Sequence, residues 1–259
     1  MTGNAATSRR ASLVHQQELA AVALPGDTIA TRIAYDAASG CEHLVQQLLE
    51  VAPGRSAART PGACDQVLFV LGGSGVLHLD GVAHTLEAES GATIRPGERY
   101  TLENTGDVPL SIHSVTLPLP PADVATGPRQ VVVRLADQEA RAATGARHFR
   151  LVTDPAVGCP SATQFIGYIP PGRAPDHFHT YDEVIYVLDG EGLLHIGALH
   201  EPIGRGSCIH LTPRLVHSLE NTGASTLQVL GIFRPAGSPA EAYYPDGTLA
   251  YDYRADDHA

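Results

Sequence analysis

The strongest constraint on this chain is that it reads as one module written twice. QVLFVLGGSGVLHLDG at residues 66–81 matches EVIYVLDGEGLLHIGA at 183–198, and LENTG occurs at 102–106 and again at 219–223. Both pairs keep an offset of 117 residues (183 − 66 and 219 − 102). A third block, CEHLVQQLLEVAPG from Cys41 to Gly54, aligns with CPSATQFIGYIPPG from Cys159 to Gly172 at an offset of 118 (159 − 41). One residue is therefore inserted in the first copy between Gly54 and Gln66. A duplication settles the domain count before any local argument does. Two domains are expected, 1–125 and 126–259, meeting in the Pro-rich stretch LPLPPADVATGPRQ.

Each copy is a run of short β segments. QVLFVL and EVIYVL end in Gly-rich turns that lead into VLHLDG and LLHIGA, the pattern of a hairpin. Further apolar runs follow, punctuated by Pro, Gly and Asn about every ten residues, as an all-β barrel or sandwich requires. Helical signal is confined to HQQELAAVAL and LADQEARAAT. The expected fold class is all-β, two tandem antiparallel β-barrels.

Composition narrows the function. The net charge of −11, with no Trp and 5% aromatics, disfavours nucleic acid and anionic membranes as partners. No apolar run is long enough to span a bilayer. MTGNAATSRRASLVHQQELA has no apolar segment behind its Arg pair, so no secretory signal is expected and a cytoplasmic location follows. The first ten residues read as a flexible tail and the acidic end AYDYRADDHA as solvated. Cys41, Cys64, Cys159 and Cys208 form no CxxC pair and read as small buried hydrophobes.

The second copy carries a constellation of another kind. His177 and His179 are two apart and share one face of an extended strand, Glu183 lies an even number further on, and His217 follows in a later strand. Three imidazoles and a carboxylate suit one divalent transition metal, whether Fe, Mn, Ni, Cu or Zn. Four ligands on an octahedral ion leave two positions open, as catalysis requires. Tyr168, Tyr181, Asp182 and Tyr186 are further candidates for acid–base work, and Gln164 and Tyr168 share a strand face that could reach the pocket. His78 and His195 occupy equivalent repeat positions and read as strand-packing residues; His84, His113, His200 and His210 read as surface groups or neighbours of the ligands.

This segment resembles the two motifs of the cupin superfamily, G(X)5HXH(X)3,4E(X)6G and G(X)5PXG(X)2H(X)3N. The matching residues are Gly172, His177, His179, Glu183 and Gly190, then Gly206, His217 and Asn221. The spacing from Gly172 to His177 is one short, Thr212 stands at the motif's Pro and Arg214 at its Gly. The resemblance covers about residues 40–120 and 158–236. It implies a bicupin, two double-stranded β-helix barrels holding any metal near an open mouth, and pairing by sheet edges into a homodimer. In the first copy Arg59, Pro61, Gln66 and Tyr100 stand at the places of His177, His179, Glu183 and His217, so one metal per chain is expected. The Tyr-rich segment after the last strand, PAGSPAEAYYPDGTLAYDY, is expected to pack across a barrel or a partner.

The resemblance further implies a metal-dependent enzyme acting on a small enolic, phenolic or carbonyl-acid substrate. A dioxygenase using Fe(II) and O2 is the leading expectation, with Glu183, Tyr168 and Tyr186 as the catalytic groups. A redox-neutral isomerase, cyclase, decarboxylase or lyase is the first alternative, and a non-catalytic small-molecule-binding barrel the second.

Overall fold

The computed structural model describes residues 12–120, 124–143 and 145–250. The expectations for the first ten residues and for the acidic end beyond Ala250 fall outside these. The fold is all-β, with two seven-stranded antiparallel sheets and two smaller ones of three and four strands. Each copy wraps one large and one small sheet around its own core. Leu68, Val70, Leu77 and Leu102 lie in the first core, and Ile185, Val187, Leu194 and Leu219 in the second.

The near-continuous apolar runs QVLFVL and EVIYVL now have a cause. In the strand Cys64–Gly72, Leu68 and Val70 point into their own barrel while Val67 and Phe69 point to a third core shared between the barrels. In Asp182–Asp189, Ile185 and Val187 point inward and Val184 and Tyr186 outward to the same shared core. A strand buried on both faces cannot alternate apolar with polar residues. The repeated LENTG is explained by its asparagine. Asn104 Nδ2 donates to Val51 O (2.8 Å) and Val108 O (2.7 Å), and its Oδ1 accepts from Gly106 N (2.9 Å). Asn221 makes the same three bonds to Ile169, Ser225 and Gly223 at the same lengths. The side chain thus ties the turn to the neighbouring strand and satisfies its backbone groups.

The sheets do not part at the boundary expected near residue 125. Ser12–His15, at the start of the first copy, pairs with Ser207–Leu211 of the second barrel. Val132–Arg134, at the start of the second copy, pairs with Ser90–Ile94 of the first. The exchange is reciprocal, and it covers two sheet edges from within the chain.

The two helical expectations are corrected. Among their described residues, HQQELAAVAL and LADQEARAAT show the single 3₁₀ turns Gln16–Glu18 and Leu135–Asp137, followed by the short strands Val22–Ala23 and Arg141–Ala142. Tertiary packing overrides propensity here. Val14, Leu19 and Leu135 join the shared core, so each segment bends for one turn and stays extended. His113 and His210, read as surface groups or neighbours of the ligands, are buried between the barrels, against Gln46 and Asp182 respectively. His78 and His195 pair with Glu103 and Glu220 across strands, each at 2.7 Å. Cys41, Cys159 and Cys208 are buried thiols as expected, and Cys64 is half-buried.

The shared core predicts one cooperative unit. Phe69→Ala, at 1% exposure, should cost about 3–5 kcal/mol. Denaturant unfolding should show both barrels melting together at a lower midpoint.

Candidate metal centre

His177 and His217 face each other in an antiparallel bridge, with His177 N donating to His217 O (3.0 Å) and His217 N to His177 O (2.8 Å). His179 is fastened by Arg214 N donating to its carbonyl at 2.8 Å. Arg214 itself sits at φ +64°, the left-handed conformation that a glycine takes most easily, and its counterpart Gly97 sits at +80°. The departure from the motif at this position therefore preserves the turn at a small cost in strain. The three ligand nitrogens lie within 4.8 Å of one another, the one such cluster of three or more His, Cys, Asp or Glu among the described residues. Glu183 stands outside that 4.8 Å group but lines the same cavity. The chain leaves extended pairing at Thr180–Tyr181 before the strand Asp182–Asp189 begins, so Glu183 approaches from the neighbouring strand.

Each imidazole is oriented by a backbone carbonyl. His177 Nδ1 donates to Pro175 O (2.8 Å), His179 Nδ1 to Glu241 O (2.9 Å) and His217 Nδ1 to Leu215 O (2.9 Å). A carbonyl can only accept, so all three rings carry their proton on Nδ1 and leave the Nε2 lone pair free, the state a metal-binding histidine needs. Burial, reinforced by the neighbouring imidazoles, lowers His177 to about 4 and His179 and His217 to about 3. Burial pushes the Glu183 carboxyl up to about 8. No protein donor among the described residues reaches that carboxyl, so the donor set fits a divalent cation: three neutral nitrogens and an uncompensated acid in a buried site.

The acceptor for His179 comes from the segment after the last strand, which crosses its own barrel. Tyr243 bridges Phe178, and the Glu241 carboxylate accepts from Tyr181 Oη (2.5 Å) and Tyr243 Oη (2.9 Å). The cavity beyond the histidines measures about 90 Å³ and is largely apolar, walled by side chains such as Phe149, Phe165, Ile185 and Phe233. Phe165 fits because residue 231 is glycine, where a Cβ would lie 2.3 Å from the ring.

The other expected site residues separate. Tyr168 lines the cavity, stacked on His148 at 4.6 Å. Tyr186 is a correction: three residues from Glu183 on one strand, it faces the opposite way, and its hydroxyl donates to Gln16 Oε1 (3.0 Å) in the shared core. Asp182 is likewise turned away, to His210 Nε2 (2.8 Å), and Tyr181 serves Glu241. Gln164 lies towards Gly91 of the first barrel and does not line the cavity. Sequence reasoning missed Arg147 and His148, which do line it. Extending the 118-residue offset upstream would have flagged them, because Ile29 and Ala30 stand there in the first copy. The strand registers agree, Ala30 facing Glu50 as His148 faces Tyr168.

In the first barrel the equivalent positions satisfy one another. Tyr100 Oη donates to Gln66 Oε1 (2.9 Å), Gln66 Nε2 donates to Ser114 Oγ (2.8 Å), and Arg59 pairs with Asp27 at 2.5 Å. Tyr100 and Ile29 belong to that barrel's apolar core.

The protonation states of the second site set a pH dependence. The imidazoles have folded values below their ordinary 6.5, so their contribution to stability is present above 6.5 and lost as pH falls towards 4 and 3. Glu183 works oppositely: raised from 4.5 to about 8, its contribution is full below 4.5 and lost as pH rises through 8. Metal-stripped protein should therefore gain stability as pH rises from about 4 to 6.5, where three imidazoles outweigh one carboxyl, and lose it between about pH 7 and 8. Glu183→Gln should flatten that second slope. Urea midpoints across this range check it. His177→Ala and His179→Ala should each abolish metal retention with β-type circular dichroism unchanged.

The chain was compared with known proteins. It is 35% identical over 74 residues to auxin-binding protein 1 of Arabidopsis thaliana, a match spanning 25% of this chain and 37% of that relative. Among solved structures it resembles the Ylba protein of E. coli (TM-score 0.74, 15% identity, 87% of this chain and 91% of that one). It also resembles oxalate decarboxylase from Bacillus subtilis (TM-score 0.69, 13% identity, 87% and 77%). At such identities these structures speak for the fold alone. The Cupin domain family matches residues 47–116 and again 165–233, in register with the internal repeat and over more than half of the sequence. The chain belongs to the cupin domain family, as a bicupin.

Proposed function

We propose that this protein is a metal-dependent enzyme acting on a small organic substrate in its C-terminal barrel, with dioxygen as co-substrate. The observation that carries the reading is the convergence of three Nδ1-protonated imidazoles, each fixed by a backbone carbonyl, on a small apolar cavity. His177, His179 and His217 would hold the ion and Glu183 would complete the set. A divalent transition metal there, Fe(II) first among those the donors suit, supplies a redox-active centre with coordination positions the protein does not take. The apolar walls exclude water and admit an apolar gas. The cavity, about 90 Å³, suits a small organic substrate.

A redox-neutral reaction, by an isomerase, cyclase, decarboxylase or lyase, is the second reading. The observation favouring it is Glu183, held by no protein donor and made by burial a stronger base than an ordinary carboxylate. Tyr168 at the cavity wall is the remaining candidate for proton transfer.

An anaerobic assay separates the two. An oxygenase should stop without oxygen and work only with redox-active metals, whereas a redox-neutral enzyme should run anaerobically with Zn(II). In either case Glu183→Gln should lower turnover by at least tenfold, beyond any loss of metal. Full turnover by that variant with metal bound would remove Glu183 from the mechanism.

A further inference from the structure

Among the residues lining the metal cavity, Arg147 is the sole arginine or lysine. It immediately precedes the strand His148–Thr153, whose first residues His148 and Phe149 also line the cavity. It is half-buried and close enough to act electrostatically on all three histidines. Burial holds its pKa below the usual arginine value, but a guanidinium stays charged at neutral pH.

The internal repeat supplies a control for this residue. The equivalent position in the first barrel is Ile29, 1% exposed and part of the apolar core, in a barrel where Gln66 and Tyr100 replace the ligands. The inward charge therefore occurs in the copy that carries the histidines and is absent from the copy that lacks them. Packing does not require it, since the same backbone site is filled by isoleucine elsewhere in this chain.

Charge balance points the same way. A dication held by three neutral imidazoles and one carboxylate leaves one positive charge in the cavity, and the Arg147 guanidinium lines the same space. A substrate entering this space is favoured if it brings negative charge. A planar guanidinium matches an ionised carboxylate through paired N–H···O bonds.

We propose that Arg147 anchors an ionised carboxylate, so that the substrate class of the C-terminal site is a small organic acid bound as its anion, with its reacting end turned to His177, His179 and His217. This rests on the metal-centre reading given above. It adds a residue that binds and orients substrate, and it selects the acids from among enolic, phenolic and carbonyl compounds.

The test is calorimetric titration of the metal-loaded protein with acetate, pyruvate and malonate, each run beside its neutral amide. At least one acid should bind the unaltered protein ten times or more tightly than its amide. Arg147→Ile, which places the residue of Ile29 at this site, should abolish that preference while elemental analysis shows metal unchanged. Arg147→Lys should retain part of it. If Arg147→Ile does not fold, Arg147→Gln removes the charge at nearly constant volume and must show the same loss. Equal binding of acids and amides by the unaltered protein, or a preference that survives loss of the charge, would overturn the proposal. Failure of the metal-centre reading looks different: the unaltered protein would hold no metal after dialysis.

Discussion

An antiparallel sheet that does not close on itself leaves a row of unpaired N–H and C=O groups along each edge, and burial of its faces does nothing to satisfy them. This structure depends on how two of those rows are met. Ser12–His15 crosses to the edge at Ser207–Leu211, and Val132–Arg134 crosses to the edge at Ser90–Ile94. The crossing strands bring Val14, Leu19 and Leu135 with them into the core between the barrels, where Phe69, Ile166 and Tyr186 also meet. Backbone pairing and apolar burial thus hold the same surfaces together, and the mouth of the second barrel is built on a wall that cannot shift independently.

Much of this was legible in the sequence because it was written twice. The repeat revealed the two barrels, and the contrast between its copies singled out His177, His179, Glu183 and His217. What escaped was long-range or three-dimensional. The partner of Ser12–His15 lies about 190 residues away, and nothing local in SLVH names it. The helical patterns at Gln16 and Leu135 were true propensities overruled by the shared core. Tyr186 reads as a site residue by its nearness to Glu183, but an odd spacing on one strand turns it to the opposite face. Arg147 and His148 lie upstream of the segments in which the two copies are visibly alike, so their contrast with Ile29 and Ala30 is not marked by local similarity.

The two barrels show how little separates a filled interior from a reactive one. In the first, Tyr100, Gln66 and Ser114 form a chain in which each polar group finds a partner from the protein. In the second, the same places hold His217, Glu183 and Gly231. The missing side chain at 231 makes room for the Phe165 ring, while the carboxyl and the imidazole Nε2 atoms are left without protein partners. A buried acid without a donor costs stability, and the second barrel carries that cost at a place where its twin has a hydrogen-bonded glutamine. The duplicated framework tolerates that loss because its cores, its asparagine-tied turns and its shared interface are repeated intact in the first copy.

The exchange of strands also bears on how the chain is made. On a ribosome, Ser12–His15 emerges early, but the edge it must join is synthesised about 190 residues later. At 5–20 residues per second that is a wait of roughly 10–40 seconds. During it the first barrel can assemble its interior, yet its edge at Ser90–Ile94 also stays bare until Val132–Arg134 arrives. The nascent first half therefore exposes, for a time, the pairing surface most prone to join another chain. A newly made copy held close to a second, as on a crowded polysome, could trade strands with it instead of with itself.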